Sequence, residues 1–133
     1  NIRIHDEDAR DLIELMPDSC LAAVYLLYPD PWPKKKHHKR RFVNPENLHH
    51  IHRLLQPDGM FYFASDIPDY VSWALVHIRD HGGFEWQERA SADWQTPFAG
   101  WIRTRYEDKA LVAGRTPTYL RFQHREHIRP GYL

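Results

Sequence analysis

Apolar positions along the chain fall into two kinds of pattern. Leu21-Ala-Ala-Val-Tyr-Leu-Leu-Tyr28 is apolar without alternation. That predicts a strand buried on both faces, as in a parallel sheet. Residues 60–65 predict a second buried strand, which ends at Asp66. Residues 84–90 and 118–124 predict two more, and Ile2-Arg3-Ile4 reads as the end of a short first strand. Between these runs, apolar residues recur at helical spacing. Ala9, Leu12, Ile13 and Met16 share one face of a helix over residues 6–16. Leu48, Ile51, Leu54 and Leu55 share another, opened by the cap, first-turn proline and acid of Asn44-Pro45-Glu46. Further helices are predicted over about residues 69–80, closed by Gly82-Gly83, and over residues 104–113, closed by Gly114. Pro17-Asp18-Ser19 and Gln56-Pro57-Asp58-Gly59 supply turns, and a loop holds Trp94, Pro97 and Trp101.

Strict alternation of strand and helix predicts an α/β fold with a mostly parallel sheet. In such sheets ligands sit beyond the carboxyl ends of the strands. Asp30 and Asp66 each lie just past such an end, and Asp6, Glu7 and Asp8 follow the first strand. Two aspartates and one acidic loop therefore fall on one rim. Polar residues are common in strand-to-helix loops, so a plain solvated rim fits the same pattern.

Composition narrows the class. A chain of 133 residues has the size of one domain with a real core. With 42% hydrophobic and 14% aromatic residues, it is not a disordered chain. No apolar run approaches the roughly 20 residues that span a bilayer. No signal segment opens the chain, so secretion is not expected, and no membrane partner is expected either. The single cysteine, Cys20, excludes an internal disulfide and any multi-cysteine zinc site, and a reducing cytoplasmic setting is the default. The first residue is Asn1, so the chain is either processed or a piece of something longer. Formal charge is zero, but it alternates in blocks: −5 over residues 1–30, +6 over 31–57, −5 over 58–102 and +4 over 103–133. Two basic segments in an acidic background suit a polyanion held at defined places.

Pro29-Asp30-Pro31-Trp32-Pro33 is the most informative stretch. Its three prolines fix φ and remove backbone donors, giving a stiff loop at a strand end. Such a loop holds a carboxylate and an indole in place at little entropic cost. It also serves as a simple strand terminator with Trp32 packed as a lid. Lys34-Lys-Lys-His-His-Lys-Arg-Arg41 follows at once, with six formal positive charges in eight residues. That run suits phosphate binding beside the loop. His37, His38, His49, His50 and His52 match no common zinc spacing, so no metal is expected. Thr104-Arg-Tyr-Glu107 matches a capping box, and the same helix start is also a place to bind a ligand.

Tyr28-Pro-Asp-Pro-Trp-Pro-Lys-Lys-Lys-His-His-Lys-Arg-Arg41 resembles the signature of the bacterial tRNA (guanine-N7)-methyltransferases. Asp8-Ala9, Ser65-Asp66 and Thr104-Arg-Tyr-Glu107 follow in family order. The resemblance covers essentially the whole chain. It implies a Rossmann-like fold, with six parallel strands and a reversed last one. It also implies S-adenosylmethionine as cofactor and guanine 46 of tRNA as substrate. By the same resemblance Asp8 and Asp30 contact the cofactor and Asp30 is the catalytic position. Lys34, Asp66, Thr104, Arg105, Tyr106 and Glu107 are implied to bind the substrate. The family's glycine-rich cofactor loop has no counterpart here, where G-x-G-x-x-G is absent and glycines number six. The chain is therefore expected to be the C-terminal part of one domain, without the N-terminal strands, inactive alone, and monomeric by default. The Asp-Pro-Trp loop is also similar to the Asp/Asn-Pro-Pro-aromatic loop of amino-group methyltransferases. An inactive RNA-binding fragment is the non-enzymatic alternative.

Overall fold

A computed structural model describes residues 1–126 and 128 of the chain. Four strands form one sheet in the order β1-β2-β4-β3: β1 (Leu21–Leu27), β2 (Leu55–Ser65), β3 (Phe84–Trp86) and β4 (Thr118–His124). β1 pairs with β2 in parallel, and β4 runs antiparallel to both β2 and β3. Three strands thus share one direction and the last is reversed. Because β4 is inserted between β2 and β3, only one of the three pairings is parallel, so the sheet is mixed rather than mostly parallel by pairing.

Helices α2 (Pro45–Leu54) and α3 (Pro68–His81) cover one face. Leu48 and Ile51 of α2 and Tyr70, Ala74 and Ile78 of α3 pack on Phe61, Phe63, Leu120 and Phe122 of the sheet. Asn44 caps α2 by accepting from Asn47 N at 2.8 Å, and Pro45 fills the first turn, as the sequence predicts. Gly82, at φ 79°, ends α3 in the left-handed conformation. The opposite face is covered by a loop rather than a helix. There Phe98 and Trp101 pack on Tyr62, Ala64 and Tyr119, and Tyr25 stacks on Tyr62 at 4.3 Å.

Several expectations change. β1 is an edge strand, and its second face has no helix over it, so Tyr25 remains 54% exposed. The apolar run is therefore half-buried. Ile2 and Ile4 are exposed and lie in no strand, because no neighbouring strand pairs with them. Helix α1 (Ala9–Leu15) begins at Asp8 and buries no residue. It is tied to α2 by Arg53, which donates to Ile13 O and Met16 O, each at 2.7 Å. The segment Gln56–Gly59 belongs to an irregular start of β2, and regular pairing begins at Met60 opposite Ala23. Asp58 takes φ 62° there, and any Cβ on Gly59 would sit 2.9 Å from Gln56 O. β3 ends at Trp86: Gln87 N still donates to Arg121 O at 2.9 Å, but Arg121 N donates to the Glu88 carboxylate at 3.1 Å in place of a backbone carbonyl. A 3-10 helix (Lys35–Arg40), α4 (Ser91–Trp94) and α5 (Arg105–Val112) complete the element order.

Candidate active site

The loop after β1 is held in an uncommon conformation. Tyr28 and Trp32, which flank Pro29-Asp30-Pro31, have φ of 50° and 43°. Bulky residues in this region cost about 1–3 kcal/mol each and persist where surrounding contacts dictate them. Those contacts are visible. Tyr28 N donates to Ala64 O on β2 at 2.8 Å. Arg41, 1% exposed, donates from Nε to Pro31 O at 2.7 Å and from Nη2 to Asp69 Oδ2 at 2.6 Å. Its guanidinium also lies 5.0 Å from the ring centres of Tyr70 and Trp73. The last arginine of the basic run is thus an internal strut and not a phosphate contact. Asp69 answers the strut from the first turn of α3, and the hydrogen bond from Arg41 draws its carboxyl below the usual range.

The loop opens into a cleft of about 290 Å3 lined by Asp8, Asp30, Trp32, Arg40, Phe42 and Asn47 among others. The structure brings Asp8 and Asp30 together in this cleft. Their states differ. Asp8 caps α1, and both its oxygens accept from Arg10, at 2.6–3.2 Å. These hydrogen bonds lower its pKa to about 2. The Asp30 side chain is exposed and has no hydrogen-bond partner among the described residues. Leu26, Pro29 and Phe42 give apolar walls. Trp32 is half-buried, with Arg40 Cζ 5.1 Å from its ring centre and His37 edge-on at 5.8 Å. A free carboxylate, apolar walls and an indole that already accepts a cation suit the sulfonium end of S-adenosylmethionine. The volume lies at the lower limit of small-molecule sites, which is room for one end of that molecule.

Lys34, Lys35, Lys36, Lys39 and Arg40 are exposed on the 3-10 turn beside the cleft. The five clustered histidines scatter. His38 faces Trp73, and His52 stacks on His124 at 4.2 Å with Nε2 donating to Arg125 O. His50 joins Glu14 and Glu46 in an exposed group whose ligand atoms lie within 4.8 Å of one another.

The other expected residues gather at a second corner, where β2, α5 and β4 meet. Asp66, just past β2, pairs with Arg115 Nε at 2.5 Å. Thr104 caps α5 by accepting from Glu107 N at 3.1 Å. In a full capping box the Glu107 carboxylate would return to the Thr104 backbone. Instead Glu107 is 4% exposed, and it accepts from Trp101 Nε1 at 2.6 Å and from the Tyr119 hydroxyl. Burial, with Glu107 beside it, raises the Tyr119 pKa. The Tyr28 hydroxyl is buried against this group without a hydrogen-bond partner among the described residues, and burial followed by the Glu107 charge pushes it up to about 12. Arg105 and Tyr106 are exposed, Tyr106 at 66%. Sequence reasoning missed Arg10, Arg115 and Tyr119, read Arg41 as a phosphate contact, and left Trp101 in a loop without a role.

The chain is similar to several known proteins. A tRNA (guanine-N(7)-)-methyltransferase of Rhizobium johnstonii is 55% identical over 92% of this chain and 53% of its own length. One of Mesorhizobium japonicum is 55% identical over 92% of this chain and 52% of its own length. The chain spans about half the length of the curated relatives it matches. A "Putative DNA Modification Methylase" of Thermus thermophilus shares the fold at TM-score 0.54 and 16% identity, over 90% of this chain and 51% of that one. The same methylase complexed with S-adenosyl-L-methionine gives TM-score 0.51 at 14% identity, over 90% and 51%. The family model Methyltransf_4, described as "Putative methyltransferase", matches residues 1–120, and the chain belongs to that family.

Proposed function

We propose that the chain serves in transfer of a methyl group from S-adenosylmethionine to N7 of guanine 46 in tRNA. The observation that carries this reading is the strained Pro29–Pro33 loop. It holds one free carboxylate beside an exposed cationic turn, in a chain whose curated relatives are named tRNA (guanine-N(7)-)-methyltransferase. S-adenosylmethionine supplies an electrophilic methyl group. Guanine N7 has an exposed lone pair, so the protein needs no strong base; its task is orientation and exclusion of water. Asp30 offsets the positive charge that develops on the purine, as preorganised groups do where charge appears. Asp8, together with Asp30, holds the cofactor side. Lys34, Lys35, Lys36 and Lys39 bind tRNA phosphates near the chemistry. Asp66 receives the guanine edge. Thr104, Arg105 and Tyr106 form the substrate wall at the start of α5, and Glu107 positions that wall from behind through Trp101 and Tyr119.

No helix among the described residues is long and apolar enough to cross a membrane. We place the protein in the cytoplasm, with tRNA. Incubating the complete enzyme with methyl-labelled S-adenosylmethionine and tRNA, duplex DNA or protein tests the reading. Label is expected in tRNA, as 7-methylguanosine. Label in an exocyclic amino group, or in DNA or protein alone, would replace this reading with the amino-group one.

A further inference from the structure

Asp66 and Arg115 meet at the rim of β2, the strand beside the one that ends in the Asp30 loop. Their contact uses Asp66 Oδ2 and Arg115 Nε. Asp66 Oδ1 and the two terminal guanidinium nitrogens make no hydrogen bond among the described residues. The Asp66 side chain is 13% exposed and that of Arg115 46%, so the pair is anchored on one side and open on the other. Arg115 is also fixed by its backbone. Its N–H donates to Ala110 O at 2.9 Å, just after Gly114 turns the chain at φ 78°. The result is a carboxylate acceptor and guanidinium donors side by side, in fixed order.

That order has a chemical meaning for an enzyme that methylates N7. The nucleophilic nitrogen must stay unoccupied, so an arginine fork on O6 and N7, the usual guanine contact, would block the reaction. Recognition has to use the other edge. There guanine offers the O6 acceptor next to the N1–H and N2–H donors. Adenine offers an N6 donor next to the N1 acceptor. A donor beside an acceptor matches the first and opposes the second.

We propose that Arg115 is a specificity-determining residue that, paired with Asp66, selects guanine over adenine. Arg115 donates to O6 while the free Asp66 oxygen accepts from N1–H and N2–H. Asp66 first holds Arg115 in place and then shares it with the base. This rests on the tRNA guanine-N7 reading above and adds to it a reader of the target base.

The test uses the complete enzyme and tRNA carrying either guanosine or 6-thioguanosine at the target position. Sulfur is a poor acceptor, so the thio substrate should not reward a donor at Arg115. In Arg115→Ala the kcat/KM ratio of guanosine to 6-thioguanosine should fall about tenfold or more. Arg115→Lys should restore part of it. A ratio taken on one variant is independent of how much of that variant is folded. The wild-type ratio in both variants would overturn the proposal and leave the pair as a tie between α5 and β2. A wild-type enzyme that methylates neither tRNA would instead refute the functional reading, and this proposal with it.

Discussion

The loop after β1 and the corner between β2, α5 and β4 treat their carboxylates in opposite ways. At the loop, Asp30 is exposed and has no partner among the described residues, while the backbone around it is strained and clamped by a buried arginine. At the corner, the Asp66 and Glu107 carboxylates already have partners within the chain: Arg115 for Asp66, and Trp101 and Tyr119 for Glu107. A free charge on a rigid support is suited to act on something absent from the fold. Glu107, with both oxygens satisfied by its own fold, is suited to hold shape, whereas Asp66 keeps one oxygen open beside Arg115. The contrast separates the proposed chemical residue from the positioning ones without reference to sequence motifs.

The largest effect should follow loss of the free carboxylate. Asp30→Ala should lower turnover by a factor on the order of 10³ while tRNA affinity stays within about twofold. Single-turnover methyl transfer and filter binding measure the two; near-normal turnover would remove Asp30 from its role. Next comes the clamp beneath it. Arg41→Met leaves the Pro31 carbonyl without its donor, and should cost about 3 kcal/mol in urea unfolding. It should leave the salt dependence of tRNA binding unchanged, because Arg41 is buried. At the corner, Glu107→Ala strands the Tyr119 hydroxyl and the Trp101 indole N–H. A loss of about 2–3 kcal/mol is expected, roughly 10 °C in melting temperature. An unchanged melting temperature would free Glu107 to be a direct substrate contact.

Two smaller effects lie outside the comparison and calibrate it. Burial first, and the neighbouring His52 and His49 next, lower the His81 pKa to about 4 from 6.5. The unfolded chain therefore takes up this proton first as the pH falls. Stability should be flat above pH 6.5 and decline toward pH 4, by no more than about 2 kcal/mol for a half-buried ring. Urea midpoints across that window should decline less in His81→Asn than in the wild type. Finally, Lys35→Gln, Lys36→Gln and Lys39→Gln should each reduce the salt slope of tRNA binding by up to about one. An unaltered slope would place the turn away from the phosphates.

Much of the fold was legible because local chemistry and tertiary packing agree. The cap and proline of α2, the glycine that ends α3 and the bounds of β4 all appear where the sequence places them. What was illegible depends on distant partners. The apolar run of β1 reads as two-sided burial, yet burial is decided by what lies over each face. Arg41 sits among five other cations, and nothing local shows that Tyr70, Trp73 and Asp69 of α3 will enclose it. Glu107 satisfies the capping-box spacing, but two donors from other segments, Trp101 and Tyr119, draw its carboxylate away from the cap. Among the expected site residues, Asp30 and Asp8 share a cleft, while Asp66 and the Thr104–Glu107 segment share the corner.

The most direct test of the functional account is the position and atom of methylation. 7-Methylguanosine makes an RNA chain cleavable by aniline after borohydride reduction. tRNA treated with the complete enzyme and S-adenosylmethionine should be cut at one guanine in the variable loop, and tRNA treated with the Asp30→Ala enzyme should not. An uncut tRNA that nevertheless carries transferred methyl groups would contradict the account.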